Sequence, residues 1–181
     1  KRRAGVGLDI SNIRPKGIIT KNAAKTTDGI GVFMERFSNT CREVAQGNRR
    51  GAEMISVSIH HPEVETFIKI KQDKKKVTGA NISVKLTDDF MNSVKNNTLY
   101  EQRWPINSPN PKIKKMVDAR KIWDMIIECA WKSAEPGLLF WDNVEKNTPA
   151  DIYENYKSVS TNPCQPGWAT VLTKNGIRKF S

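Results

Sequence analysis

The stretch Asn81-Ile-Ser-Val-Lys-Leu86, followed by Thr87-Asp-Asp89, joins a strand pattern directly to a helix start. Apolar and polar residues alternate from Asn81 to Leu86, which predicts a strand with one buried face. Thr87-Asp-Asp89 is typical of a helix N-terminus, because a threonine side chain accepts backbone N–H bonds there and acids complement the helix dipole. Phe90, Met91 and Val94 then recur at helical spacing, which predicts a short helix with one apolar face.

The same two patterns alternate along the rest of the chain. Strand patterns occur within 5–17, at 55–59 and at 138–141, and helical spacing of apolar residues occurs over 28–45, from Pro62 to Ile68, and over 119–133. Such alternation is typical of an α/β protein, in which helices pack outside a mostly parallel sheet or barrel. Loops at strand ends carry the chemistry in these folds, and here they include 46–52 and 160–164.

Two of the predicted helices have wide apolar faces. The first should begin at a Thr27 or Asp28 cap and bury Ile30, Phe33, Met34, Phe37, Cys41 and Val44. The helix over 119–133 should bury Ile122, Trp123, Ile126, Ile127, Ala130 and Trp131. A proline-rich loop is predicted from Trp104 to Pro111. Cys41 and Cys129 are interpreted as structural thiols.

Composition sets the broad class of the protein. The 181 residues are 38% hydrophobic and 27% charged, which is enough for one folded core. The longest apolar runs fall short of the roughly 20 residues that span a bilayer, so a cytoplasmic protein without a membrane partner is expected. Three distant cysteines without CxxC spacing indicate reduced thiols. His60 and His61 are interpreted as a strand end and a helix cap, and no metal site is predicted.

The charge balance indicates an anionic partner. Lysine and arginine number 30 against 19 acidic residues, so the formal net charge is +11. Nucleotide phosphate and nucleic acid both satisfy this requirement. The basic residues are spread along the chain without the interleaved aromatic residues of a single-strand binding surface, so most are interpreted as solvated. A basic nucleic-acid-binding module is the alternative hypothesis.

Four sequence blocks, taken in order, resemble the catalytic (large, alpha) subunit of ribonucleotide reductase. They are Gly5-Val-Gly-Leu-Asp-Ile-Ser-Asn-Ile-Arg14, Gln46-Gly-Asn-Arg-Arg-Gly-Ala52, His61-Pro-Glu-Val-Glu65 leading into Asn81-Ile-Ser-Val84, and Ser160-Thr-Asn-Pro-Cys164. Each block is weak alone, but the order and spacing are specific. The resemblance covers nearly the whole stretch from Arg3 to Cys164.

The resemblance implies a ten-stranded α/β barrel, of which residues 1–163 would be a part, that reduces ribonucleotides to deoxyribonucleotides. The family's radical cysteine lies on a finger loop in the barrel centre, within the motif Asn-x-Cys-x-Glu. Asn162 matches its asparagine, which holds a ribose hydroxyl, and Cys164 matches the cysteine whose thiyl radical removes the 3′ hydrogen. A thiyl radical needs a site shielded from solvent.

Two blocks resemble the family's allosteric specificity site, which binds a deoxynucleoside triphosphate. The stretch Ile10–Gly17, with Arg14, corresponds to its first loop. The second loop corresponds to Gln46, Asn48, Arg49 and Arg50, and it is one glycine shorter than the common version. Arginine side chains suit this role because they bind phosphate in a bidentate manner.

The resemblance also implies partners. They are a ribonucleotide substrate, the triphosphate effector, a second catalytic subunit in a homodimer, and thioredoxin or glutaredoxin as reductant. The radical would come from adenosylcobalamin or from a diiron-type small subunit, and this stretch is expected to bind neither group directly. Diphosphate and triphosphate substrates both stay open.

The sequence departs from the family after Cys164. Pro166 stands where the family has its acid/base glutamate, and Cys164-Gln-Pro-Gly-Trp-Ala-Thr-Val-Leu-Thr-Lys-Asn-Gly176 resembles the opening of an intein. On this interpretation residues 164–181 begin a splicing domain, with Asn175-Gly176 as a hairpin turn, and the Cys164 thiol attacks the Pro163 carbonyl. A divergent reductase that lost the glutamate is the less favoured alternative. The chain as given is expected neither to splice nor to reduce nucleotides.

Overall fold

A computed structural model of the chain describes residues 5–21, 23–44, 51–162, 170–173 and 176–179. The strands are β1 (Val6–Asp9), β2 (Glu53–Ser58), β3 (Asn81–Leu86), β4 (Leu99–Trp104), β5 (Ile113–Asp118), β6 (Gly137–Phe140), β7 (Thr170–Thr173) and β8 (Gly176–Lys179). The α-helices are α1 (Ile30–Glu43), α2 (Val64–Lys69), α3 (Asp88–Asn96), α4 (Ala119–Ser133) and α5 (Trp141–Asn147), and short 3₁₀ helices cover 70–72 and 149–152. None of these helices is long and apolar enough to cross a membrane.

A four-stranded parallel sheet, in the order β1-β2-β3-β6, is the centre of the fold. The register pairs Leu8 with Ile55, Ile55 with Ile82, and Val84 with Leu138. Each crossover between neighbouring strands includes at least one helix, as parallel pairing requires. The prediction of an α/β protein with a mostly parallel sheet is therefore confirmed.

The two faces of this sheet differ in chemistry because side chains alternate along a strand. One face presents fully buried apolar residues, including Ile55, Val57, Ile82 and Val84, which pack with buried residues of α1, α2, α3 and α4 in a single hydrophobic core. The opposite face presents mainly small and polar residues, including Gly7, Asp9, Ser56, Ser58, Ser83 and Lys85, together with Met54 and Leu139. We call this second surface the polar face.

The junction between β3 and α3 agrees with the sequence-based prediction. The Thr87 hydroxyl caps α3 by accepting a hydrogen bond from the Phe90 N–H at 3.2 Å, and Phe90 and Val94 are buried. Val64, Phe67 and Ile68 form the buried side of α2, as predicted. The boundaries of α4 also agree with the prediction over 119–133.

Two helix faces were predicted incorrectly. Trp131 is 84% exposed and Ile127 is 47% exposed, because the buried side of α4 is centred on Ile122, Ile126 and Cys129. The stripe through Ile127 and Trp131 is displaced around the helix from that side, since each residue advances by about 100°. The sequence pattern alone therefore overestimates the width of the buried face of α4.

The N-terminus of α1 also differs from the prediction. Gly29, rather than Thr27 or Asp28, is the N-cap residue, and as a glycine it has no side chain to cap the helix. The first free N–H, that of Ile30, instead donates to the Glu63 carboxylate at 3.0 Å. Phe33 and Val44, predicted to be buried, are exposed along the same helix.

An antiparallel hairpin of β4 and β5 is missing from the sequence-based prediction. Its inner face carries Tyr100, Gln102 and Trp104, which are buried, and the Arg103 N–H donates to the His60 carbonyl at 2.6 Å. The predicted loop from Trp104 to Pro111 connects the two strands. At the other end of the chain, the strand predicted at 138–141 is β6, which is only half-buried, and Trp141 belongs to α5.

Strands β7 and β8 form a second antiparallel pair, in which Thr173 lies opposite Gly176. A hairpin was predicted at this position from Asn175-Gly176. Residues 174–175 lie outside the described residues, as do the side chains of both strands.

Candidate active site on the polar face of the sheet

The polar face ends in a cluster of hydrogen-bonding groups at the carboxyl ends of β1, β2 and β3. In parallel α/β sheets this edge is where ligands bind and chemistry occurs. The Ser11 N–H and hydroxyl both donate to Asp9 Oδ1, at 3.0 and 2.5 Å, and the Ser11 oxygen accepts from the Ser58 N–H at 2.7 Å. These bonds fix the Asp9 carboxylate at the end of β1.

Residues 158–162, which we call the crossing segment, lie against this polar face. The Ser160 hydroxyl is 2.9 Å from the Ser56 hydroxyl of β2. Thr161 passes so close to β1 that a Cβ atom added to Gly7 would lie 2.1 Å from the Thr161 carbonyl oxygen. Only glycine allows this approach, because Gly7 has no side chain to occupy the space.

Lys85 of β3 contacts the crossing segment next to Ser56 of β2. Its ammonium group is 2.8 Å from Asp9 Oδ2 and donates to the Val159 carbonyl at 2.5 Å. It also lies 3.6 Å from the centroid of the Trp141 ring, a cation–π contact. Burial lowers the pKa of Lys85, while the hydrogen bond and charge of Asp9 raise it. Because Asp9 supplies a counter-charge, the buried ammonium is compensated.

The two candidate catalytic positions differ in what the structure describes. Asn162 is the last residue of the crossing segment and is exposed. Cys164, with Pro163 before it, lies outside the described residues. The structure therefore brings the polypeptide leading to both positions onto the polar face, and their assigned roles stay predictions.

The candidate effector residues are only partly described. Arg14 is exposed in the loop after β1, whereas Gln46, Asn48, Arg49 and Arg50 lie outside the described residues. The loop before Arg14 is anchored by the fully buried His61, whose Nε2 is 2.9 Å from the Ile13 carbonyl. Because the Glu63 N–H donates to His61 Nδ1 at 3.1 Å, the proton resides on Nε2, which donates to Ile13.

His61 and Glu63 thereby join three parts of the fold. The backbone N–H of Glu63 binds the imidazole, while its carboxylate accepts the Ile30 N–H at the start of α1. The carboxylate fits beneath Gly29, whose φ of +81° and lack of a Cβ permit this approach. Helix α1 in turn leads towards the second candidate effector loop.

Replacing His61 with glutamine is expected to destabilise the protein by about 2 kcal/mol, because the buried Ile13 carbonyl and Glu63 N–H lose a partner. Burial lowers the pKa of His61, so the unfolded chain binds its proton more readily than the fold does. Wild-type stability should therefore fall as the pH drops below about 6.5, and the variant should lose part of this dependence. Denaturant unfolding at pH 7.5 and 5.5 measures both effects. Burial lowers the pKa of His60 as well, so the double variant His60→Gln/His61→Gln should lose more of the pH dependence than His61→Gln alone. An unchanged pH dependence in His61→Gln would contradict the assignment.

The sequence reasoning missed Gly7, Asp9, Ser56 and Lys85 as site residues. The available signal was the alternation within β1 and β3, which puts Asp9 and Lys85 on the face opposite the apolar residues. Within the described ranges, no group of three or more His, Cys, Asp or Glu side chains could hold a metal ion.

A parallel sheet with helices on its apolar face, and a chain segment crossing its polar face, defines this chain as an α/β domain. Residues 1–166 match the family described as "Ribonucleotide reductase, barrel domain", and the chain belongs to that family. It is 37% identical over 166 residues to a vitamin B12-dependent ribonucleoside-diphosphate reductase of Thermoplasma acidophilum, covering 91% of this chain and 21% of the relative.

Two further relatives show the range of similarity. A vitamin B12-dependent ribonucleoside-diphosphate reductase of Mycobacterium tuberculosis is 28% identical over 88% of this chain and 23% of its own length. A ribonucleoside-diphosphate reductase subunit alpha of Bacillus subtilis is 27% identical over 99% of this chain and 19% of its own length. This chain thus spans about a fifth of the length of the curated relatives it matches.

Proposed function

We propose that this chain is part of the catalytic subunit of a ribonucleotide reductase that reduces ribonucleotides to deoxyribonucleotides by a thiyl-radical mechanism. The observation that carries the proposal is the crossing segment, which runs over the polar face from Lys85 near the end of β3, past Ser56 of β2, to Gly7 of β1, and leads to Asn162. Membership of the barrel-domain family supports the same activity. In the whole enzyme the sheet would continue into a ten-stranded barrel around this segment.

The proposed chemistry follows from the position of the crossing segment. Asn162 would hold a ribose hydroxyl by hydrogen bonds, and the radical cysteine two residues beyond it would remove the 3′ hydrogen. A segment enclosed by barrel strands keeps solvent and stray reductants from the radical, which that chemistry requires. The small side chains of the polar face leave room for the segment in the barrel interior.

Allosteric control is proposed for the loops at Arg14 and at Gln46, Asn48, Arg49 and Arg50. Arginine side chains there would bind the phosphates of a deoxynucleoside triphosphate. Such control means that effector binding changes the affinity of the substrate site, which is a coupling free energy between the two sites. In this proposal the controlled enzyme is a homodimer of the catalytic subunit. The His61 and Glu63 contacts link the first loop to the start of α1.

The radical source is proposed to be adenosylcobalamin, with a diiron-type radical subunit as the alternative. Adenosylcobalamin is favoured because several relatives are named as vitamin B12-dependent reductases. We assign no residue of this chain to either group. Thioredoxin or glutaredoxin would supply the reducing equivalents, and the enzyme would act in the cytoplasm.

Residues 164–181 are proposed to begin an intein inserted at the radical cysteine. Two observations support this proposal. Pro166 stands where the family has its glutamate, and the match to the barrel-domain family ends at residue 166. Residues 1–163 would then be the host barrel.

Reductase activity of the processed full-length gene product tests the proposed function. We expect deoxyribonucleotide formation from ribonucleoside diphosphates or triphosphates in the presence of a dithiol reductant and adenosylcobalamin. We also expect the preferred substrate base to change when the deoxynucleoside triphosphate is changed. No product with either radical source, together with salt-sensitive binding to DNA or RNA, would instead support the nucleic-acid-binding alternative.

A further inference from the structure

The chain from α5 to the crossing segment is attached to the fold by a series of polar contacts. Glu145 Oε1 accepts from Trp141 Nε1 at 3.0 Å and pairs with Lys157 at 3.3 Å. Asp151 Oδ1 accepts the N–H and the hydroxyl of Ser158, at 2.9 and 2.8 Å. These contacts lie among residues 141–158 and join them to one another rather than to the sheet.

Attachment to the sheet itself depends on different groups. Side chains of the sheet contact the crossing segment at two places in the described residues: Lys85 donates to the Val159 carbonyl, and the Ser56 hydroxyl bonds to that of Ser160. Lys85 is only 6% exposed, and its ammonium is shared between Asp9 of β1 and Val159. A charge-assisted hydrogen bond of this kind is roughly twice as strong as a neutral one.

We propose that Lys85 and Asp9 form a positioning pair that sets the place of Asn162 and of the following cysteine in the active site. This inference rests on the proposed reductase function. Val159 precedes Asn162 by three residues, which is about 10 Å of extended chain. A displacement of the Val159 carbonyl therefore moves the catalytic positions directly, and a misplacement of about 1 Å costs on the order of 100-fold in rate.

The pair acts through charge and geometry together. Asp9 is held by Ser11, so its second carboxylate oxygen is in a fixed position for the Lys85 ammonium. The Trp141 ring covers that ammonium and limits its movement. Without the ammonium, the Val159 carbonyl loses its donor and the Asp9 carboxylate loses its counter-charge, so the crossing segment is held less firmly to the sheet, by the Ser56–Ser160 contact.

The test compares Lys85→Met with Lys146→Met in the processed full-length protein. Lys146 makes an exposed ion pair with Asp88, so its replacement removes the same charge far from the crossing segment. We expect Lys85→Met to lower kcat by about 10- to 100-fold at an unchanged Kd for the triphosphate effector. Amide hydrogen exchange of residues 158–162 should accelerate by about tenfold, with the exchange of α4 unchanged. Lys146→Met should match the wild type in all three measurements.

Asp9→Asn provides a second variant if Lys85→Met folds poorly. The amide retains an oxygen for Ser11 but removes the charge that holds Lys85, so a loss of kcat in the same direction is expected. Wild-type kcat and wild-type exchange of residues 158–162 in either folded variant would overturn the positioning role. An inactive wild-type protein would refute the proposed reductase function, whereas the exchange measurement would still test the contact between Lys85 and the crossing segment.

Discussion

Two proteins, rather than one, are expected when the natural parent gene is expressed: a ligated reductase and an excised segment that begins at Cys164. The Cys164→Ala variant should yield only the unprocessed precursor. In the N-to-S acyl shift the Cys164 thiolate attacks the Pro163 carbonyl carbon, the peptide C–N bond breaks, and a thioester and a free α-amino group form. Alanine cannot form this thioester, so the expected effect is complete. Intact-mass spectrometry of the products measures it.

Cys41→Ala is the control for this experiment. Cys41 is a half-buried thiol beside Glu53, and burial raises its pKa, so little reactive thiolate is present there. Its replacement should leave both products of the normal gene unchanged. A single unprocessed protein from the normal gene would contradict the intein proposal. Cys164 would then be the candidate radical cysteine, and Pro166 would be a genuine loss from the catalytic motif.

Elements were predicted correctly where the local signal, such as a helix cap, and the pattern of buried residues indicate the same boundary. Thr87 both caps α3 and follows a strand whose alternate residues are buried, so two independent signals indicated the same boundary. Helix α4 was predicted over its full length for a similar reason. The exposure of Trp131 on this helix was not predicted. A hydrophobic residue favours burial, but the sequence pattern does not show whether another part of the fold packs against it.

The hairpin of β4 and β5 was missed because one of its strands has a largely exposed, lysine-rich pattern. Within β5, Lys114, Lys115 and Met116 are all exposed, so the alternation that marks a half-buried strand is absent. The cap of α1 was missed for another reason. Its N–H partner is Glu63, 33 residues away in sequence, and such a contact is visible only after the chain has folded.

For the candidate site, the sequence supplied chain positions that stay predictions, and it did not supply the supporting contacts. Resemblance indicated Asn162 and Cys164, and the described crossing segment leads to both. It did not indicate Lys85 and Asp9, which are 76 residues apart and meet because β1 and β3 flank β2 in the sheet. The order of strands in the sheet therefore determines which distant residues meet, and short sequence motifs do not show this order.

Gly7→Ala is expected to lower the reductase kcat of the processed full-length protein by on the order of 100-fold. The added Cβ would lie 2.1 Å from the Thr161 carbonyl oxygen and 2.8 Å from its carbonyl carbon, distances that real Cβ atoms essentially never show. Both obstructing atoms belong to the backbone, so a change of rotamer cannot relieve the contact. The crossing segment must move away from β1 by about 1 Å, and Asn162 moves with it.

Gly31→Ala is the matched control, because it adds the same methyl group at a glycine of α1 where the nearest atom, Ile70 Cδ1, is 4.0 Å away. Alanine is the better helix former, so this variant should gain about 0.5–1 kcal/mol of stability and keep the wild-type kcat. Measuring kcat together with denaturant unfolding separates the two effects. A Gly7→Ala protein that is folded and fully active would show that Thr161 does not need its close approach to β1, and the proposed route of the crossing segment over the polar face would then be wrong.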